Sequence, residues 1–163
     1  MTPTAHPAAA LADRAAKLLG LPAENLREGI RAGQWGAALR IALGPGSCRL
    51  VLVVDQFEEV FTLCETDSER QAFIRALCDA ARPGEGSQSA TALVTLGVRA
   101  DFYSHCLTYP ELLVAVQDNQ FAVGAMNREE TALSILAEVI AARHGRNGGR
   151  LAEGRGRIHE VPA

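Results

Sequence analysis

An α/β fold built on a small parallel sheet is predicted by three stretches of the sequence. Residues 50–54 are all aliphatic and rich in valine, which predicts a strand over 50–55 that is buried on both faces and ends at Asp55. Residues 92–98 form a second apolar run and predict a second strand. The apolar residues of 67–81 recur at helical spacing. Strand, helix and strand in succession form a βαβ unit, in which the two strands run parallel.

Three helices are predicted before the first strand. They cover residues 8–19, closed by Gly20, then 22–29, and then 35–43, closed by the turn that starts at Gly44. Residues 1–45 are therefore expected to form a helical N-terminal segment of the same domain. Trp35 is more typical of an anchor between helices than of a ligand platform.

The segment between and after the strands carries several start and stop signals. Asp67 or Ser68 is expected to cap the helix between the strands. Pro110 and Glu111 open a further helix that runs to about Gln117. Residues 120–123 predict a short third strand, which gives a sheet of about three strands.

The C-terminal part begins with a capping box. Asn127 followed three residues later by Glu130 has the form of this motif and predicts a helix that ends near residue 144. The composition then changes to Gly and Arg, which predicts disorder. The predicted organisation is thus a helical segment, an α/β core, a helix and a disordered tail, over residues 1–45, 46–130, 131–144 and 145–163.

Composition disfavours several classes of protein. A net charge of −3 and a pI near 5.8 give no basic surface for nucleic acid. No apolar run is long enough for a membrane helix, so we expect no membrane partner and a cytoplasmic location. Four cysteines lie at positions without a C-x-x-C pair, and we expect them to be small buried apolar residues rather than metal ligands. They are Cys48, Cys64, Cys78 and Cys106.

Acidic residues cluster where the first strand ends. Asp55 follows it directly, with Glu58 and Glu59 within one turn, while Arg99 and Asp101 follow the second strand. Because parallel strands end at the same edge of a sheet, we expect Asp55 and Arg99 to lie on one edge. Such sheets bind ligands at this edge, and the Asp55 carboxylate is a suitable ligand for Mg²⁺ there. The alternative is structural: Asp is common at turns and caps. Asp101 equally suits an ion pair with Arg99, and one of the two glutamates suits a solvated helix start.

Two longer motifs carry a resemblance to a known family. The string from Val53 to Phe61, V-V-D-Q-F-E-E-V-F, resembles the Walker B segment of the novel STAND NTPase 1 group found in bacterial WD40-repeat and signalling proteins. The block R-A-D-F-Y at 99–103 resembles the segment after the next strand in that family. The resemblance covers about residues 10–130 and implies a P-loop NTPase-like sheet.

The resemblance also implies a role for each site residue. Asp55 is expected to hold Mg²⁺, Glu58 or Glu59 to orient the attacking water, and Arg99 to sense the γ-phosphate. Asp55, Arg99 and Asp101 are the expected cofactor-binding residues. Relatives in the wider class place an acidic base directly after the Asp, where this sequence has Gln56. The choice between Glu58 and Glu59 therefore stays open at this point.

The sequence departs from the family at the phosphate loop. The pattern G-x-x-x-x-G-K-[S/T] is not present, and the one lysine, Lys17, follows Ala16 rather than a glycine. The turn from Gly44 to Ser47 precedes a strand instead of joining a strand to a helix. We therefore expect Mg²⁺ and ATP as cofactors only if a phosphate loop is supplied in trans, and we expect a partner protein or neighbouring chain to complete the sheet.

Three functions are compatible with these features. The first is a partial STAND-type NTPase domain of a signal-transduction ATPase, an NTP hydrolase by resemblance that does not bind or hydrolyse ATP on its own. The second is a degenerate NTPase domain that serves as an interaction or regulatory module. The third is an unrelated α/β enzyme that uses Asp55, Glu58 and Glu59 as a metal site.

Overall fold

The protein is described by a computed structural model that covers residues 1–44, 48–84, 89–124 and 127–143. The chain divides into two compact units, Met1–Gln120 and Phe121–Ala163. The first unit is a mixed helix and strand structure, and the second contains one helix within its described residues.

The elements of the first unit follow the predicted order, with short additional helices after each strand. A short helix at Glu59–Thr62 follows the first strand after a turn at residues 55–58, and a 3₁₀ turn at Ala100–Phe102 and a short helix at Tyr103–Cys106 follow the second. The elements are α1 Pro7–Leu19, α2 Ala23–Arg31, α3 Trp35–Leu43, β1 Leu50–Val54, α4 Glu59–Thr62, α5 Asp67–Ala80, β2 Ala92–Leu96, α6 Tyr103–Cys106 and α7 Pro110–Asn119; the second unit contains α8, Arg128–Arg143.

Strands β1 and β2 pair in parallel, as the βαβ pattern predicts. The register aligns Leu50 with Ala92 and Val54 with Leu96, so both strands end level with each other. Helix α5 connects them and packs against β2. The α/β class is therefore confirmed, with a sheet of two strands within the described residues.

The predicted third strand at 120–123 is wrong. Gln120 caps α7 with an extended backbone, and residues 121–124 form neither helix nor strand. Phe121 and Val123 are exposed. An extended segment becomes a strand only when its backbone groups bond to a neighbouring strand, and this segment has no such neighbour among the described residues.

The expectation that β1 is buried on both faces is also wrong. Leu50 and Val54 are buried, whereas Val51 and Val53 are 62% and 54% exposed. On β2, Leu93 is exposed on the same face as its cross-strand partner Val51. A run of consecutive apolar residues does not reveal which face a helical layer covers, and here the layer covers one.

The helical layer forms the core with the buried face of the sheet. Helix α5 contacts α1, α2 and α3, and Trp35 is fully buried in this core at the start of α3, as expected of an anchor. The Gly36 amide donates to the Asp79 carboxylate at 2.6 Å, which fixes the start of α3 to α5. A Cβ at Gly29 would lie 2.7 Å from the Ala38 Cβ, so the close contact between α2 and α3 requires glycine.

Two of the predicted helix caps can be compared with the structure. Helix α5 is capped by Thr66, whose hydroxyl accepts from the Glu69 amide at 3.3 Å, so the expectation of Asp67 or Ser68 is off by one residue or two. In the second unit the capping box is confirmed: the Asn127 amide donates to the Glu130 carboxylate at 2.9 Å, and the Glu130 amide donates to the Asn127 side chain at 2.8 Å. The predicted disordered tail at 145–163 lies outside the described residues.

Three of the four cysteines are buried, as predicted. Cys64, Cys78 and Cys106 lie in the interior, and burial raises the pKa of each thiol. Cys48 is exposed, which corrects the prediction for that residue. It lies in the connection before β1, outside the helical layer.

Candidate functional site

The ends of the two strands meet at one edge of the sheet. The Gly97 amide donates to the Val54 carbonyl oxygen at 2.8 Å, and the Phe57 amide donates to the Gly97 carbonyl oxygen at 2.8 Å. These bonds continue the pairing beyond β1 and β2, so the chain leaving each strand stays beside the other. The structure therefore brings the segment after Asp55 next to the segment that leads to Arg99, as the parallel arrangement predicts.

Asp55 is exposed at this edge. Its Oδ1 accepts from the Gln56 amide at 3.0 Å, which orients the carboxylate along the turn. A Cβ built on Gly97 would lie 3.4 Å from the same oxygen. A side chain at 97 would thus begin in ordinary van der Waals contact with the Asp55 carboxylate, which places the two positions side by side at the edge.

The chain turns sharply directly after Asp55. Gln56 has a φ of +54°, a left-handed conformation that is uncommon for residues other than glycine. Phe57 is then fully buried, with its ring stacked on that of Phe73 at a centroid distance of 6.4 Å. This turn and this anchor direct the next residue, Glu58, toward the exit of β2.

The two glutamates have different environments. Glu58 is 9% exposed, and its Oε2 accepts from the Arg99 backbone amide at 3.3 Å. Glu59 is half-buried in the first turn of α4, and its side chain makes no hydrogen bond or ion pair with the described residues. The sequence did not distinguish the two residues, because the partner of Glu58 lies 41 positions away.

Arg99 and Asp101 form an ion pair on the surface. The Arg99 Nη2 lies 2.8 Å from the Asp101 Oδ2, and the two side chains are 66% and 57% exposed. The Arg99 guanidinium also lies over the Phe102 ring, 5.7 Å from its centroid. Of the two sequence-based interpretations of Asp101, the structure contains the ion pair.

An aromatic cluster joins the segments after the two strands. Phe61, on α4, has ring centroids 6.4 Å from Phe102, 5.5 Å from His105 and 6.0 Å from Tyr109. The sequence did not reveal these partners of Phe61. A usable signal was the recurrence of aromatic side chains at 102, 105 and 109, one helical face after the second strand.

Comparison with known proteins identifies the family. The sequence model of the family described as Novel STAND NTPase 1 matches residues 1–153. The chain belongs to the novel STAND NTPase 1 family. The match extends well beyond the 10–130 region of the recognised motifs. No curated protein and no solved structure matches the chain.

Membership of the novel STAND NTPase 1 family excludes the third function, an unrelated metal-dependent enzyme. The described residues also contain no group of three or more His, Cys, Asp or Glu side chains that could hold a metal ion. A nucleotide-bound Mg²⁺ needs no such group, because it is held by one or two carboxylates together with the phosphates and water.

Two further observations concern membrane-spanning helices and the phosphate loop. Among the described residues no helix is long and apolar enough to cross a bilayer. Lys17 lies exposed in the last turn of α1, and Gly44 follows α3, so neither is part of a loop between a strand and a helix. Pro45, Gly46 and Ser47 lie outside the described residues.

Proposed function

We propose that this chain supplies the Walker B and sensor part of a STAND-type ATPase domain and turns over no ATP until another segment provides a phosphate-binding loop. The observation that carries this proposal is the common edge at which an exposed Asp55 and an exposed Arg99 follow two paired parallel strands. Family membership supports nucleotide chemistry for this edge, and ligands of parallel sheets bind at such edges. The resulting ATPase would act in cytoplasmic signal transduction.

The charge of the Asp55 segment suits a cation. Three carboxylates occur within five residues, at Asp55, Glu58 and Glu59, and residues 50–66 contain no basic side chain. Such a segment repels free phosphate and attracts Mg²⁺. In the proposed role Asp55 holds the metal shell, while the basic groups that bind the phosphates come from Arg99 and from the added segment.

Arg99 is suited to exchange one anion for another. Its pairing with Asp101 is exposed, and such surface pairs contribute about 0–1 kcal/mol. A phosphate group accepts two parallel hydrogen bonds from a guanidinium and carries more charge than one carboxylate. Arg99 can therefore leave Asp101 at small cost when a γ-phosphate reaches the edge.

The sheet has a free position for a further strand. The edge of β1 away from β2 is occupied at its end by Met1, which donates to the Val53 carbonyl oxygen and accepts from the Asp55 amide. No described strand pairs with the outer edge of β2. The exposed face of the sheet carries the apolar side chains of Val51, Val53 and Leu93. These features support a partner segment that adds beside β2 and places a phosphate loop next to Arg99.

The proposal is tested by titrating a fluorescent ATP analogue, with Mg²⁺, into two samples. One is the chain alone, and the other is the chain joined to the strand, phosphate loop and helix of another family member. We expect no saturable binding below about 1 mM for the chain alone, because backbone amides and a lysine of the loop normally hold the phosphates. The completed domain is expected to bind and to hydrolyse ATP.

Matched variants identify the role of Asp55. In the completed domain Asp55→Asn is expected to abolish hydrolysis, whereas Asp13→Asn, which changes a remote surface carboxylate paired with Arg27, is expected to retain it. Submillimolar binding to the chain alone that Asp55→Asn removes would overturn the claim that the chain needs a second segment. Hydrolysis that survives Asp55→Asn in the completed domain would overturn the metal role.

A further inference from the structure

Glu58 is a buried charged side chain at the junction of the two strand exits. It and Thr91 are the buried polar or charged residues within the described part of the chain. Burying a carboxylate is costly unless it accepts hydrogen bonds. The Oε2 of Glu58 accepts one from the Arg99 backbone amide, which belongs to the segment after β2.

We propose that Glu58 is a positioning residue that holds the main chain at Arg99, and that Glu59 is the carboxylate left to face the reacting water. The assignment to water rests on the proposed function. The contact between Glu58 and Arg99 does not, and it can be tested without nucleotide.

Local structure explains why Glu58, rather than Glu59, takes this position. The left-handed turn at Gln56 and the buried ring of Phe57 fix the backbone just before Glu58. The next residue, Glu59, begins α4 and is half-buried. A general base needs a lone pair open to water. Glu58 is buried and already uses one of its oxygens, so Glu59 meets that requirement better.

The contact with Glu58 involves the backbone of Arg99 and not its side chain. The backbone amide is held by Glu58, while the guanidinium stays exposed against Asp101 and Phe102. The aromatic contact between Phe61 and Phe102 joins the same two segments a few residues further on. Arg99 can therefore change its partner by side-chain rotation about a fixed backbone position, which limits the conformations in which it reaches a phosphate.

Amide hydrogen exchange at Arg99, followed by NMR on the full chain, tests this role. We expect exchange at Arg99 to be at least about tenfold faster in Glu58→Ala than in the wild type, because the amide loses its hydrogen-bond acceptor. Glu58→Asp keeps the charge but is one methylene shorter, and we expect the same acceleration. Glu58→Gln keeps an acceptor at the same reach, and we expect protection close to that of the wild type.

Two controls separate a local effect from loss of structure. The Gly97 amide, which donates to Val54, reports on the strand pairing and is expected to keep its protection in every variant. Glu59→Ala is the matched control, and we expect it to leave exchange at Arg99 unchanged. If Glu58→Ala does not fold, the comparison of Glu58→Asp with Glu58→Gln tests the same contact.

Several results would overturn the inference. They are unchanged exchange at Arg99 in Glu58→Ala and Glu58→Asp, equal acceleration in Glu59→Ala, and acceleration in Glu58→Gln as large as in Glu58→Asp. Failure of the proposed function is a separate result, because it is measured by nucleotide binding and hydrolysis. In that case the exchange data would still report whether Glu58 holds the Arg99 backbone.

Discussion

The one-sided burial of the sheet leads to a sharp prediction at two neighbouring valines. Val54 is fully buried and Val53 is 54% exposed, although they are adjacent on β1. Valine and threonine have nearly the same shape, so Val54→Thr creates no cavity but buries a hydroxyl in the apolar core. An unpartnered buried hydroxyl costs about 1–3 kcal/mol. Val53→Thr places the same hydroxyl in water, and we expect a change within about 0.5 kcal/mol.

Thermal unfolding followed by circular dichroism measures this difference. For a chain of this size 1 kcal/mol corresponds to a shift in Tm of about 2–4 °C, so a cost of about 2 kcal/mol at Val54 lowers Tm by about 4–8 °C. Val53→Thr is expected to leave Tm within about 2 °C of the wild type. The two variants share the same change in strand propensity, which cancels in the comparison. Equal shifts, whether both large or both small, would refute the one-sided burial of β1.

Two further predictions concern a helix cap and a buried thiol. Thr66→Ala is expected to lower the free energy of unfolding, measured in urea, by about 1 kcal/mol, because the Glu69 amide loses its acceptor. Thr66→Ser keeps the oxygen and is expected to leave the free energy of unfolding unchanged. Equal losses in both variants would contradict the capping role of Thr66. Burial raises the pKa of the Cys78 thiol to about 11, while the unfolded chain releases this proton near pH 8.5. The contribution of the protonated Cys78 thiol to stability is therefore fully present below about pH 8.5. It is lost as the pH rises toward 11, which lowers the free energy of unfolding by up to about 3 kcal/mol. Urea unfolding at pH 8 and pH 10.5 tests this, and Cys78→Ala should show a smaller alkaline loss than the wild type.

The parallel strand pair and its helix could be predicted because their signals are local. The apolar runs at 50–54 and 92–96, and the helical spacing between them, each lie within a few residues of the element they predict. The capping box at Asn127 and Glu130 is local for the same reason. The third strand at 120–123 was not predictable in this way, because a strand depends on a neighbour that the local sequence does not contain.

The site shows the same division between local and distant information. The motifs placed Asp55 and Arg99 on one edge, since each comes at the end of a predicted strand. The buried contact of Glu58 with the Arg99 amide depends on the relative height of the two strand ends. The contacts of Phe61 depend on the distant residues Phe102, His105 and Tyr109. One sequence, without such distances, could not choose between Glu58 and Glu59.

The left-handed backbone at Gln56 affects which residues position 56 can accept. A residue with a Cβ in this conformation costs about 1–2 kcal/mol relative to glycine. In a library with all twenty amino acids at this position, selection for stability alone should therefore enrich Gly, and Asn or Asp after it, and deplete Val and Ile. Glutamine at 56 would then rank below the residues that the backbone favours. A second selection, for a working domain, would rank the same residues by function. The difference between the two ranks of glutamine would measure what its side chain contributes to function.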